Sequence, residues 1–149
     1  MQNCLITEQL AYDQDHLQEV VNRGVLTLTA DQCAAYDKVL ESCQLGDGQT
    51  FFLHSAGGCG KTYVCKLIAA TVRSMSKIAL CVASSGIAST LLPGCHTAHS
   101  QFKIPIAIHE ESLCNIKKGD PLHCLLQQTA LIIWDEVPMQ HRYALECCD

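Results

Sequence analysis

The sequence predicts an α/β fold, a parallel sheet with flanking helices, and three observations predict it. A glycine-rich loop, Ser55-Ala56-Gly57-Gly58-Cys59-Gly60-Lys61-Thr62, stands between an extended apolar run (50–54) and a helix-patterned run (63–74). A second apolar run, Lys77 to Ala83, has strand composition. A third, Leu131-Ile132-Ile133-Trp134, ends in two acids, Asp135 and Glu136. Alternating strands and helices of this length favour βαβ units and hence a parallel sheet.

The loop carries the most chemistry. A strand, a glycine-rich turn with Gly-Lys-Thr, and a helix form the context of a phosphate-binding loop (P-loop). The glycines let successive backbone N–H groups turn inward as an anion nest, and the helix adds its positive end. Val64, Leu67, Ile68, Thr71, Val72 and Met75 recur at helical spacing on one face. A glycine-rich turn with a solvated lysine would not need that helix. Gly57, Gly58, Cys59, Gly60, Lys61 and Thr62 are therefore the candidate nucleotide-binding residues. Lys61 is placed to reach the outer phosphates of ATP, and the Thr62 hydroxyl to ligate Mg2+. Ser55 stands where the pattern has its first glycine. If that position needs a positive φ, serine is strained there and nucleotide affinity falls.

A phosphate loop needs a carboxylate partner. A continuous apolar run ending in acids predicts a buried parallel strand, and ligands bind at the carboxyl ends of such strands. Asp135 is the second candidate magnesium ligand, and Glu136 the candidate general base for an attacking water. Lys61, Asp135 and Glu136 form the candidate catalytic set. Taken alone, the run reads equally well as a core strand followed by two solvated acids.

Composition narrows the rest. At 149 residues the chain is at most one ordinary domain, and 48% hydrophobic residues suffice for a core. The net charge of -5 provides no bulk basic field, so any contact with nucleic acid must be local. No run reaches membrane-spanning length, and the polar start is not a signal peptide, so an intracellular, reducing compartment and no membrane partner are expected. None of the eleven cysteines forms a Cys-x-x-Cys pair, so no structural zinc is expected, and the absence of an export signal argues against disulfides. Cys65, Cys81 and Cys124 read as small buried hydrophobes. Cys147 and Cys148 carry no recognisable chemistry. His96 and His99 beside Cys95 lack a second ligand pair for a metal.

Along the chain, residues 1–27 read as a polar, partly helical lead that stops at Arg23-Gly24. Thr29 is a good N-cap for the next helix, with Gln32 at the reciprocal capping-box position. After the strand at 77–83 come Ser84-Ser85-Gly86, a short helix ended by Pro93-Gly94, an irregular stretch from Thr97 to Lys103, and an extended Ile104-Pro105-Ile106. Residues 109–121 read as a polar loop, and 122–128 as a helix feeding the acid-tipped strand.

In this order the motifs resemble the amino-terminal part of the petite-integration-frequency (PIF-type) DNA helicases of superfamily one, closest to those carried by Helitron transposons. The resembling segments are Leu-Thr-Ala-Asp-Gln (28–32), the loop (55–62), Ala-Ser-Ser-Gly-Ile-Ala-Ser (83–89), Leu-Leu-Pro-Gly (91–94), Thr-Ala-His-Ser-Gln-Phe-Lys-Ile-Pro (97–105) and Leu-Ile-Ile-Trp-Asp-Glu-Val-Pro-Met (131–139). The block 83–105 is the most family-specific.

The resemblance implies that residues 28–149 are the front of a RecA-like motor domain. It implies ATP hydrolysis driving 5′ to 3′ stepping on single-stranded DNA, with roles in repair, recombination, telomere maintenance or transposition, and a nuclear location. It places Gln32 where the family reads adenine; the capping-box reading stands beside it. Ser84, Ser85 and Gly86 fall where the family grips single-stranded DNA, and Thr97, His99, Phe102 and Lys103 in the next DNA-facing motif. Phe102 reads as a base-stacking aromatic or as core, and Lys103 as a phosphate contact or as solvated surface. Cys59 replaces the family's usual threonine.

Against the family pattern the chain is expected to be a partial motor, without the later glutamine motif and the second RecA-like domain with its arginine fingers. A nucleotide-binding remnant without helicase activity is the alternative. In the RecA-like order a later strand separates the strand bearing Leu53 from the one bearing Ile133. Unpaired edges and marginal stability are then expected.

Overall fold

A computed structural model describes residues 2–149. Its helices and strands fall into two compact units, one running to Ala79 and including Thr129–Leu131, the other comprising Leu80–Gln128 and Ile132–Asp149.

In the first unit α1 (Cys4–Leu10) and α2 (Gln14–Val25) precede the helix that starts after Thr29. Asn3 caps α1 and Asp13 caps α2, each side chain accepting from a backbone N–H of the first turn. Leu17 and Val21 of α2 bury against Ala70 of α4 (Lys61–Ser74), with Tyr12, Val20 and Val25 around them. Gly24 lies in the last turn of α2, which ends one residue later, at Val25, close to the expected stop. A Cβ there would run into the Leu67 side chain, so glycine permits the close approach of the two helices. The glycine thus has a packing role beside the stop that sequence reads.

α3 (Ala30–Leu45) opens with the complete capping box: Thr29 Oγ1 accepts from Gln32 N at 3.3 Å, and Gln32 Oε1 accepts from Thr29 N at 3.0 Å. It ends at Gly46, whose φ of 65° suits a left-handed cap. Tyr36 and Thr71 share a 2.7 Å hydroxyl contact between α3 and α4. The apolar stripe of α4 buries Val64, Leu67, Ile68 and Val72, while Met75 lies past the helix end and is exposed. Arg73 is buried: its guanidinium donates to the Ala79 carbonyl at 3.0 Å and sits 4.6 Å from the Tyr12 ring centroid.

The sheet has three strands among the described residues, β1 (Ile78–Ala83), β2 (His96–Thr97) and β3 (Thr129–Asp135), in the order β2–β1–β3. β1 and β2 are parallel, with Val82 opposite His96 and Ala83 opposite Thr97. β1, flanked on both sides, is buried at every residue.

In the second unit a 3-10 turn (Ala88–Thr90) leads to β2 and then α5 (Ala98–Phe102). The stretch 97–103, expected to be irregular, is thus mostly helical. Thr97 Oγ1 accepts from Ser100 N at 3.3 Å to start it, and Lys103, at φ 50°, stops it. α6 (Pro121–Gln127) has proline in its first turn, where no intrahelical donor is needed. A second 3-10 turn (Val137–Met139) and α7 (Arg142–Glu146) follow β3. The core here joins Val82, Ala98, Phe102, Ile104, Ala144 and Cys147, with Trp134 packed against it.

Two strand expectations need correction. Residues 50–54 form no strand; Phe52 and Leu53 are 74% and 39% exposed. An apolar run becomes a strand only where a neighbour satisfies its backbone groups, and β1 already has a partner on each side. β3 exists but is not fully buried: Ile132 is 47% exposed, and the strand alternates between partial burial and exposure over its first half. It lies at the outside of the three-strand order, where one edge has no ladder partner among the described residues.

Candidate nucleotide and DNA site

The phosphate loop belongs to the first unit. Gly58 and Gly60 have φ of 77° and 78°, and Cys59 stands between them. This conformation is open to glycine at no steric cost and strained for other L-residues. Gly60 is the N-cap of α4 and Lys61 its first residue, so the free N–H groups of the helix start face the loop. Gly57 needs no left-handed angle.

Ser55 does not need one either. The non-glycine residues with positive φ among those described are Ser76, Lys103 and Glu136. The strain expected from serine at this position is therefore absent. Ser55 has another part to play: Lys61 Nζ donates to the Ser55 carbonyl at 2.8 Å, to Ser55 Oγ at 3.3 Å and to the Ala56 carbonyl at 3.1 Å. The loop thus holds its lysine over itself. Sequence offers no signal for this, because two of the three acceptors are backbone carbonyls that any residue carries.

Gln32 joins the loop to the start of α3. While its Oε1 closes the capping box, its Nε2 donates to the Cys59 carbonyl at 3.1 Å. The residue is a cap and a loop tether at once. Thr62, half-buried in the first turn of α4, completes the set on this unit.

The acid pair belongs to the second unit. Asp135 Oδ1 accepts from Glu136 N at 2.9 Å, and Asp135 Oδ2 is buried without a hydrogen-bond partner among the described residues. A buried carboxylate oxygen with open lone pairs is a costly feature in a purely structural residue. Glu136 adopts φ 55°, a left-handed angle uncommon outside glycine and frequent at functional turns. Ser84 Oγ braces this turn by donating to the Glu136 carbonyl at 2.8 Å, with the Asp135 carbonyl 3.4 Å away.

The remaining DNA-motif residues also lie on the second unit. Ser85 Oγ accepts from Ala88 N, the first residue of the 3-10 turn, at 3.2 Å, and Gly86 is exposed. Thr97 caps α5, and the His99 carbonyl accepts from Ile104 N at 3.1 Å. Lys103 is exposed, and its carbonyl accepts from Asn115 N at 3.1 Å. Phe102 is 5% exposed, with its ring centroid 5.6 Å from that of Trp134. The base-stacking expectation for Phe102 is corrected: its ring is core. Sequence could not separate the two readings, because a helix this short shows no full period.

The donors assigned to magnesium, a threonine hydroxyl and a carboxylate, are the hard oxygen ligands that ion takes. The unpartnered Asp135 Oδ2 is a free acceptor of the required kind. Among the described residues no helix is long and apolar enough to cross a membrane.

The family model for PIF1-like helicases matches residues 27–149. An ATP-dependent DNA helicase Pif1 from Psychrobacter sp. (strain PRwf-1) is 35% identical over 99 residues. That match covers 65% of this chain and 15% of the relative's length.

Proposed function

Because the chain belongs to the PIF1-like helicase family, we propose that it supplies the phosphate-binding and water-activating residues of an ATP-dependent DNA helicase motor. The observation that carries this is the left-handed pair Gly58 and Gly60 directly ahead of α4, with Lys61 as its first residue.

The chemistry follows from the groups present. The loop's inward N–H groups and the start of α4 bind the phosphates. The Lys61 ammonium exchanges its Ser55 and Ala56 carbonyl acceptors for phosphate oxygens. It is a mobile point charge on a flexible stem, which suits that exchange. Thr62 and Asp135 each carry an oxygen donor of the kind magnesium takes, and the ion, when bound, would supply neutralisation of charge on the phosphate oxygens. Glu136 takes the proton of the attacking water. Ser84 holds the turn that aims Glu136, and Gln32 holds Cys59 within the loop.

Coupling to single-stranded DNA, 5′ to 3′ direction, a nuclear location, and service in repair, recombination, telomere maintenance or transposition belong to the same proposal and rest on the family. Stepping requires contacts that differ between the ATP and ADP states. We expect the purified chain to bind nucleotide and to give no ATP-dependent strand displacement by itself.

The test is a titration of the chain with a fluorescent ATP analogue and magnesium. Lys61→Ala should weaken binding at least about tenfold, as expected for loss of a charge-assisted contact. Equal affinity in wild type and variant would refute the assignment. A second reading, nucleotide binding without turnover, is favoured by the self-engaged Lys61. Phosphate release stimulated by a single-stranded oligonucleotide would exclude it.

A further inference from the structure

Three thiols distant in sequence meet in the second unit. Cys114 Sγ lies 3.4 Å from Cys148 Sγ and 3.5 Å from Cys147 Sγ, across separations of 34 and 33 residues. Cys147 is buried in the core beside Val82, Phe102 and Ala144, Cys114 is half-buried against the same cluster, and Cys148 is exposed. All are free thiols.

We propose that Cys114, Cys147 and Cys148 form an oxidative modification site, at which a small-molecule disulfide converts Cys114 and one of its two neighbours into an intrachain disulfide. A bonded pair sits about 2.05 Å apart, so closure needs a movement of only about 1.4 Å. Among the described residues no group of three or more His, Cys, Asp or Glu side chains is arranged to hold a metal ion. The gradient of exposure sets the order of events. Cys148 alone of the three is exposed, so a reagent reaches it first.

The exchange balances with oxidised glutathione as the oxidant. The Cys148 thiolate attacks one glutathione sulfur; the reagent's S–S bond breaks, and one glutathione leaves and takes up a proton. The Cys114 thiolate, its proton given to solvent, then attacks Cys148 Sγ. The mixed disulfide breaks, and the second glutathione leaves as a thiol. Two protein thiols have lost two electrons and two protons, and one glutathione disulfide has gained them. Cys147 can next attack Cys114 Sγ and release Cys148, moving the bond without further oxidation. Three thiols in one cluster permit one disulfide and always leave a resolving thiol. The bond would tie the segment between α5 and α6 to the residues that follow α7.

The test uses the full chain, folded, with oxidised glutathione in mildly alkaline buffer, then acid quench, denaturation and thiol titration. The expected result is loss of two thiols within the peptides 104–117 and 143–149, counted apart from any glutathione mixed disulfide at exposed Cys4. A non-reducing tryptic map should join the peptide 104–117 to the peptide 143–149. Cys114→Ser should abolish the joined peptide. Should that variant fail to fold, Cys147→Ser with Cys148→Ser gives the same readout from the other side, while Cys4→Ser should leave it intact. The proposal is overturned if the 104–117 peptide stays unjoined while exposed Cys4 has reacted. It is equally overturned by a bond confined to Cys147 and Cys148, or by equal yield of the joined peptide from the denatured chain.

Discussion

The Gln32 side-chain amide donates to the Cys59 carbonyl at 3.1 Å, so the residue that closes the α3 capping box also anchors the phosphate loop. One side chain therefore serves helix stability and loop geometry through its two different atoms, and substitutions can separate them. Gln32→Glu keeps an oxygen for the Thr29 N–H and removes the donor to Cys59. It should retain most of the cap while weakening binding of a fluorescent ATP analogue. Gln32→Ala should lose both, with destabilisation of about 1 kcal/mol by denaturant titration. Identical nucleotide affinity in all three proteins would show the tether to be irrelevant.

The two left-handed glycines should differ in tolerance. Alanine at either position is strained by about 1–2 kcal/mol. At Gly58 a Cβ meets open space, whereas at Gly60 it comes 2.8 Å from Gln32 Nε2. Gly60→Ala must therefore also displace the Gln32 amide, adding about 1 kcal/mol for the lost hydrogen bond. In a Gln32→Ala background the two variants should become equal in urea melts. A difference that persists there would locate the extra cost elsewhere.

Phe102 separates core from interface. Phe102→Ala should destabilise the second unit by about 3–5 kcal/mol, as for other buried aromatics. Phe102→Leu, which keeps much of the volume, should cost less than about 1.5 kcal/mol. Base stacking contributes about 1–3 kcal/mol to single-strand binding where it occurs. Oligonucleotide binding by Phe102→Leu, followed by anisotropy, should therefore match wild type. A tenfold loss in a folded Phe102→Leu protein would restore the stacking role.

The thiol cluster predicts a pH dependence. Burial, reinforced by the Cys148 thiol, pushes Cys114 up to about 11, and burial with the Cys114 contact pushes Cys147 up to about 11, from an ordinary 9.0. The unfolded chain releases these protons near 9 and the folded chain near 11. Between those values the unfolded state holds fewer protons, so stability falls as pH rises. The contribution is present in full below about 9 and lost on passing about 11. Chemical denaturation across that window should show the decline, and Cys114→Ala should flatten it. A wild-type curve already flat from 9 to 11 would contradict the burial of these thiols.

Much of the site was legible because its chemistry depends on local sequence. Gly58, Gly60 and Lys61 needed only their own backbone angles and the helix that follows, and the Thr29–Gln32 box lies within one turn. The left-handed angles of the two glycines, the helix start at Lys61 and the capping box appear as read. Other features depended on partners far along the chain. Nothing near Thr50–His54 states whether a neighbouring strand will accept its hydrogen bonds, and nothing near Gly24 announces Leu67. Cys147 and Cys148 carried no recognisable chemistry until Cys114 was placed beside them.

The sequence by itself determined the glycine-rich turn, the helix behind it and the acid-ended strand, because each is encoded in a short window whose covalent order fixes its geometry. Only the tertiary structure decided that Ser55 is unstrained and holds Lys61, that Gln32 reaches Cys59, that Phe102 turns inward to Trp134, and that three thiols converge. These are through-space relations. They arise from which apolar faces bury against each other and which donors find acceptors once those faces have closed.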